Sequence, residues 1–186
     1  KRQSKNTIKS YGKLILAQYL AREKIQKVSR EFVSKHKITK NLRKNLTDWI
    51  YNICKGFNLK EKVFFLAVYI QDCYFDKTQP KQFNSRELEL LALISVVLAS
   101  KIESTVSPSI HWLLSIGFEE RYSEEELRKK EMEVLNTLEY NFSYVSVFDF
   151  VSAAFVTNSN FSVAITACCV LLNSQKTLFG NTLCYF

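Results

Sequence analysis

The chain has 186 residues, 47% of them hydrophobic, and its 26 Lys and Arg outnumber 18 Asp and Glu to give a net charge of +8. Only four Gly and two Pro are present, far below the ~12% of an average domain, which argues against a turn-dense β-sandwich or a Gly-looped nucleotide fold. A mostly helical protein with one sizeable core is favoured over a disordered chain.

The charge is local. Residues 1–44 hold 14 basic and 2 acidic side chains, a net of +12, and residues 45–186 hold 12 basic and 16 acidic, a net of −4. Any acidic partner is therefore expected at the basic N-terminal arm. Thr39 then stands as an N-cap for a helix over 40–55, and Gly56 sits where a left-handed C-terminal residue belongs. Asn58 with Glu61 has capping-box spacing and opens a second helix to about Asp76. Asn84 with Glu87 repeats the device for a third helix ending near Lys101. Ser107 before Pro108 predicts a short fourth helix closed by Gly117, and Ser123 with Glu126 starts a fifth, to about Leu138. The third helix is apolar on nearly every face, so it is expected at the centre of the other four. The second is almost as hydrophobic, and Asp72 inside it needs a partner, for which Arg43 is the candidate. After Ser146, VFDFV and, beyond a polar break, SVAITACCVLL read as two further helices.

Little else carries chemistry. The longest apolar run, Leu90 to Ala99, contains Ser95 and falls well short of the ~20 residues that cross a bilayer, so no membrane partner is expected. The Lys-rich start without an apolar h-region argues against secretion. Five cysteines without CxxC spacing suit reduced thiols in the nucleus or cytoplasm. Cys168 and Cys169 read as core residues. His36 and His111 are the only histidines, too few for a zinc site, and no cofactor is expected. Of the cluster Glu119, Glu120, Glu124, Glu125 and Glu126, three lie in a first helical turn, where the dipole favours them, so they are not read as catalytic. No Gly-rich phosphate loop is present. The chain reads as no enzyme, with no small-molecule substrate.

Four words, in order, resemble the cyclin box. LRKNLTDWI, from Leu42 to Ile50, resembles the MRAILVDWL signature of mitotic cyclins, with Arg43, Leu46, Asp48 and Trp49 matching. LAVYIQDCYF resembles LAVNYIDRFL, with Asp72 in place. LASKIES resembles LASKFEE, keeping Ala99, Ser100, Lys101 and Glu103. KKEMEVLNTLEYNF resembles the fifth-helix word through Glu131, Val134, Leu135, Leu138 and Tyr140. The resemblance implies an all-α protein: a basic arm and lead-in helix over 1–38, a five-helix cyclin box over 39–145, and an incomplete second cyclin-like fold over 146–186. Cys73 and Ser104 replace the usual arginine and second glutamate, the mark of a divergent member.

The resemblance also implies a mechanism. Cyclins pack on the regulatory C-helix of a cyclin-dependent kinase, so that a glutamate of that helix reaches the active-site lysine. Carried over by position, Lys101 and Glu131 match the clamp on that helix, and Leu98, Ile102, Leu135, Tyr140 and Phe142 match its apolar surface. The plainer reading has Lys101 facing its own helix dipole and Glu131 pairing with Arg128. Leu42, Leu46 and Trp49 match a patch that docks RxL peptides, although Asn45 and Asn52 depart from the pattern and Glu89 stands where glutamine is usual. Arg43 and Asp72 match the family's structural ion pair. The expected function is a regulatory subunit that binds and activates a serine/threonine kinase in cell division. One alternative is a kinase-independent scaffold subunit of a cytoskeletal or ciliary assembly. Another is a nucleic-acid-binding transcription factor built on the same fold.

Overall fold

A computed structural model describes residues 2–25, 28–29, 31–104, 109–110, 121–146, 149–150 and 153. The described residues form six helices and no strand: α1 (Arg2–Ile25), α2 (Phe32–Lys35), α3 (Lys40–Gly56), α4 (Glu61–Lys77), α5 (Ser85–Glu103) and α6 (Glu124–Thr137). They belong to two compact units, Val28–Phe142 and Lys1–Lys27 with Ser143–Phe186. The predicted fourth helix, with Ser107, Pro108 and Gly117, lies outside the described residues, as do Glu119, Glu120, Cys168, Cys169 and the word SVAITACCVLL.

Three helix starts follow their caps. The Thr39 hydroxyl accepts from the Leu42 amide at 3.1 Å. Asn84 and Glu87 form a reciprocal capping box, with bonds of 2.8 and 3.0 Å, and Ser123 and Glu126 form a second, at 3.2 and 2.9 Å. Each satisfies amides that the first helical turn leaves without an intrahelical partner.

The exit from α3 differs from the expectation. Gly56 is still helical; the left-handed residue is Asn58, at φ 50°. The Leu59 amide reaches back to the Cys54 carbonyl at 2.8 Å and the Asn58 amide to Lys55 at 3.0 Å. Asparagine tolerates this backbone better than other side-chain-bearing residues, so glycine is not needed there. Asn58 is thereby used to close α3 and does not cap α4. That helix begins after Lys60 with no side-chain cap.

α5 is the centre of the Val28–Phe142 unit. Its run from Leu91 to Ser100 is buried throughout and it packs on α3, α4 and α6. The two serines in that run bond their own helix: Ser95 donates to the Leu91 carbonyl and Ser100 to Val97, both at 2.8 Å. An unbroken apolar run can therefore hold hydroxyls without leaving them unsatisfied. α4 buries Val63 to Val68 and Ile70 to Asp72 apart from a half-buried Tyr69, which excludes it from the surface almost as fully. Ahead of α3, the stretch around α2 buries Phe32, His36 and Ile38. The His36 ring lies between Phe75 and Phe83, with Nε2 donating to the Phe75 carbonyl at 2.7 Å. It packs as a core histidine.

In the other unit, Leu16 and Tyr19 of α1 pack on Val145 and Phe150. The Tyr19 and Phe150 rings meet edge to face with centroids 5.8 Å apart. Ser146 caps the helical turn at Asp149 and Phe150. Its amide donates to the Asp149 carboxylate at 2.9 Å, and the Asp149 amide returns a bond to the Ser146 hydroxyl at 3.2 Å.

Candidate functional site

Two buried polar groups tie α4 to its neighbours, one to α3 and one to α6. Arg43 on α3 and Asp72 on α4 form the expected pair, Nη2 to Oδ2 at 2.5 Å. Burial pushes the Asp72 carboxyl up to about 6, against the opposing pull of the Arg43 charge and hydrogen bond. The Arg43 guanidinium also lies 5.8 Å from the Phe32 ring centre. This joins the lead-in stretch to both helices.

The second group was not anticipated. Lys130 of α6 is only 7% exposed and donates to the Tyr74 hydroxyl at 2.9 Å and the Glu133 carboxylate at 3.0 Å. Tyr74 in turn donates to Glu133. Burial, then the Glu133 bond and charge, push the Tyr74 hydroxyl up. For Glu133, burial acts upward, but the Tyr74 and Lys130 hydrogen bonds outweigh it and hold the carboxyl below its usual range. The sequence does carry a signal: Lys130 falls at i+3 in the buried stripe Leu127, Lys130, Val134, where an apolar residue belongs.

Lys101 in the last turn of α5 and Glu131 on α6 pair with each other. The alternative partner, Arg128, is occupied by Glu124 at 2.6 Å, one turn away on the same helix. The Glu131 side chain is 12% exposed and that of Lys101 is 43% exposed. A half-exposed pair of this kind contributes at most ~1 kcal/mol to stability, so its main effect is to hold the Lys101 ammonium in one place. Ile102, next to Lys101, is 48% exposed, and Tyr140, just past α6, is 59% exposed. A large apolar side chain such as Ile102, left in water next to a charge pair, has the composition of a protein-binding surface. Leu135 and Phe142 are half-buried. Leu98, expected on this surface, is 4% exposed and supports α5 from within.

The turn presenting Tyr140 is unusual. Glu139 and Tyr140 both have left-handed backbones, at φ 53° and 57°. The Tyr140 amide bonds the Leu135 carbonyl at 3.0 Å and the Glu139 amide bonds Asn136 at 3.1 Å, closing the helix. A glycine would take the Glu139 position at lower cost.

The expected peptide patch is less complete. Leu46 is buried, and Leu42 and Trp49 are half-buried on one flank of α3. Glu89, the acidic contact expected for a docked arginine, is already held by Arg121 at 3.2 Å and by the Tyr122 hydroxyl at 3.3 Å. Glu89 thus already has an internal arginine as its partner. Among the described residues no group of three metal-ligating side chains exists, and no described helix is long and apolar enough to cross a membrane.

The family described as the cyclin N-terminal domain matches residues 14–143. The chain is 34% identical over 102 residues to a protein of Hydra vulgaris named G2/mitotic-specific cyclin-B, covering 55% of this chain and 27% of that one. It is 28% identical over 145 residues to mouse G2/mitotic-specific cyclin-B3, covering 78% of this chain and 10% of that one. It is 27% identical over 141 residues to a G2/mitotic-specific cyclin-B of Dictyostelium discoideum, covering 75% and 31%. The chain thus spans between a tenth and a third of the length of these relatives.

Proposed function

The chain belongs to the cyclin family, as a divergent member similar to B-type cyclins, and from that premise we propose that it is a regulatory subunit that binds and activates a cyclin-dependent serine/threonine kinase and performs no chemistry itself. The observation that carries this reading is the pairing of Lys101 with Glu131 beside the exposed Ile102. The pair leaves the ammonium half in water, able to meet a partner's carboxylate, and charges so placed fix register more than they add affinity. The Glu89–Arg121 pair supports a narrower role, in which kinase binding is kept and docking of RxL peptides is lost.

The test is co-purification of the kinase with four forms of the chain: wild type, Lys101→Glu, Glu131→Lys, and the swap carrying both changes. Each single reversal places like charges together and is expected to abolish association. The swap restores the internal pair, so it should melt near wild type, yet it presents the opposite charge outward and should still fail to bind. A swap that binds like wild type would show that the pair serves only the fold.

A further inference from the structure

Most cations of the Val28–Phe142 unit are engaged. Lys35 donates to the Asp76 carbonyl at 2.8 Å, and Arg43, Lys77, Lys81, Arg86, Lys101, Arg121, Arg128 and Lys130 each pair with a carboxylate. Lys37, Lys40, Lys44, Lys60 and Lys129 are exposed and meet no carboxylate among the described residues, and three of them, Lys37, Lys40 and Lys44, lie within eight residues of one another.

Two of them start a stripe along α3. A helix turns ~100° per residue, which places Lys40, Lys44, Tyr51 and Lys55 within about 60° of arc. Leu46, Ile50 and Ile53 are buried on the far side of the helix, and the buried Thr47 and Cys54 border the stripe along one edge. At the far end the Lys55 ammonium lies 5.2 Å from the Tyr51 ring centre. Asp48, the carboxylate on this side of the helix, is half-buried and already has a partner. Asn41, exposed beside Lys40 and Lys44, adds amide donors suited to backbone carbonyls.

We propose that this stripe is a docking surface for an extended acidic polypeptide segment. Lys40 and Lys55 are ~22 Å apart along the axis at 1.5 Å per residue, a span that about seven extended residues cover. The whole unit holds 17 basic and 16 acidic side chains, so it lacks the broad positive field with which a protein grips a nucleic-acid duplex. A narrow basic stripe on a near-neutral body fits a short acidic strand. The proposal does not depend on the kinase reading, because neither Lys101 nor Glu131 takes part.

The experiment measures anisotropy of a fluorescein-labelled peptide of alternating Glu and Ser residues against the full chain. Lys40→Glu/Lys44→Glu is expected to weaken binding by about tenfold or more and to flatten its salt dependence. Those changes place acids in the first turns of α3, where the dipole favours them, and unchanged helix content by circular dichroism verifies the fold. Lys40→Gln/Lys44→Gln should give an intermediate loss, and Lys13→Glu/Lys24→Glu on α1, in the basic arm where the sequence alone placed an acidic partner, should give a clearly smaller loss than the α3 reversal. Equal loss in the α1 variant, or none in the α3 variants, would overturn the proposal. So would a labelled DNA duplex that binds more tightly than the peptide and is released by the same α3 reversals.

Discussion

Replacing Arg43 by Leu leaves the Asp72 carboxylate buried without its cation. The Asp72 side chain is 5% exposed and that of Arg43 15%, so water compensates neither. Breaking a pair this buried from one side costs about 3–5 kcal/mol when the remaining partner is charged. The pH dependence identifies the cause. Burial raises the Asp72 carboxyl from 3.8 to about 6 even with Arg43 present, and without Arg43 it must rise further. An acid with a raised folded pKa binds protons more readily in the folded state, so its stability term is fully present below the unfolded value. That term is lost as pH climbs from the unfolded value through the folded one. In wild type the loss across that window is ~3 kcal/mol, from a shift of about two units.

Arg43→Leu should therefore be about 3–5 kcal/mol less stable than wild type near pH 8, and the deficit should shrink near pH 5 as Asp72 takes up a proton. Asp72→Asn keeps the guanidinium but has no carboxyl to titrate, so its deficit should be smaller than that of Arg43→Leu near pH 8 and should widen toward pH 5, where only wild type gains by protonating Asp72. The double variant Arg43→Leu/Asp72→Leu, with neither charge left, should recover to within about 1–2 kcal/mol of wild type. Urea unfolding followed by circular dichroism at both pH values measures all three. Parallel pH curves for Arg43→Leu and Asp72→Asn would refute the reasoning, as would a double variant no more stable than either single one.

Three further outcomes are expected from the same unfolding assay. Gly56→Ala should stabilise by about 0.5–1 kcal/mol, since Gly56 is helical and a Cβ there meets nothing within 4 Å; destabilisation would mean that the position needs a left-handed backbone after all. Glu139→Gly should stabilise by roughly 1 kcal/mol by relieving the left-handed strain at φ 53°, because the exposed Lys77–Glu139 pair it removes contributes little. Tyr74→Phe should cost about 1–3 kcal/mol by leaving the buried Lys130 with a bond missing, and a neutral result would show that the network relaxes around water.

What was legible in the sequence was local. Thr39, Asn84 and Ser123 announce their helices because a cap bond closes within four residues, and the unbroken apolar run of α5 announces its central place. The Gly56 reading failed for a local reason too: the cap rule places a left-handed residue near the helix end, and Asn58, two positions later, satisfies it equally. Contacts across helices were harder. Arg43 and Asp72 lie 29 residues apart; the need of a buried Asp72 for a cation made Arg43 the candidate, and the resemblance to cyclins matched both to one ion pair. For Glu131 the sequence offered only Arg128 as an internal cation, because i, i+3 neighbours are always close on a helix, and the bond to Lys101, 30 residues away, was not foreseen.

The structure decides that case by competition. Arg128 reaches Glu124, a full turn back, which leaves Glu131 to the lysine that α5 brings across. Glu89 follows the same logic, since its partner Arg121 comes from a loop 32 residues away. The net charge divides similarly. Where α5 and α6 meet, Arg86 and Lys101 are paired with Glu126 and Glu131, whereas the exposed Lys37, Lys40 and Lys44, at and just before the start of α3, meet no carboxylate among the described residues, and neither do Lys60 and Lys129. The +8 of the chain is therefore weak evidence about partners until pairing is known, and the lysines left over are the ones on which a partner's charge can act.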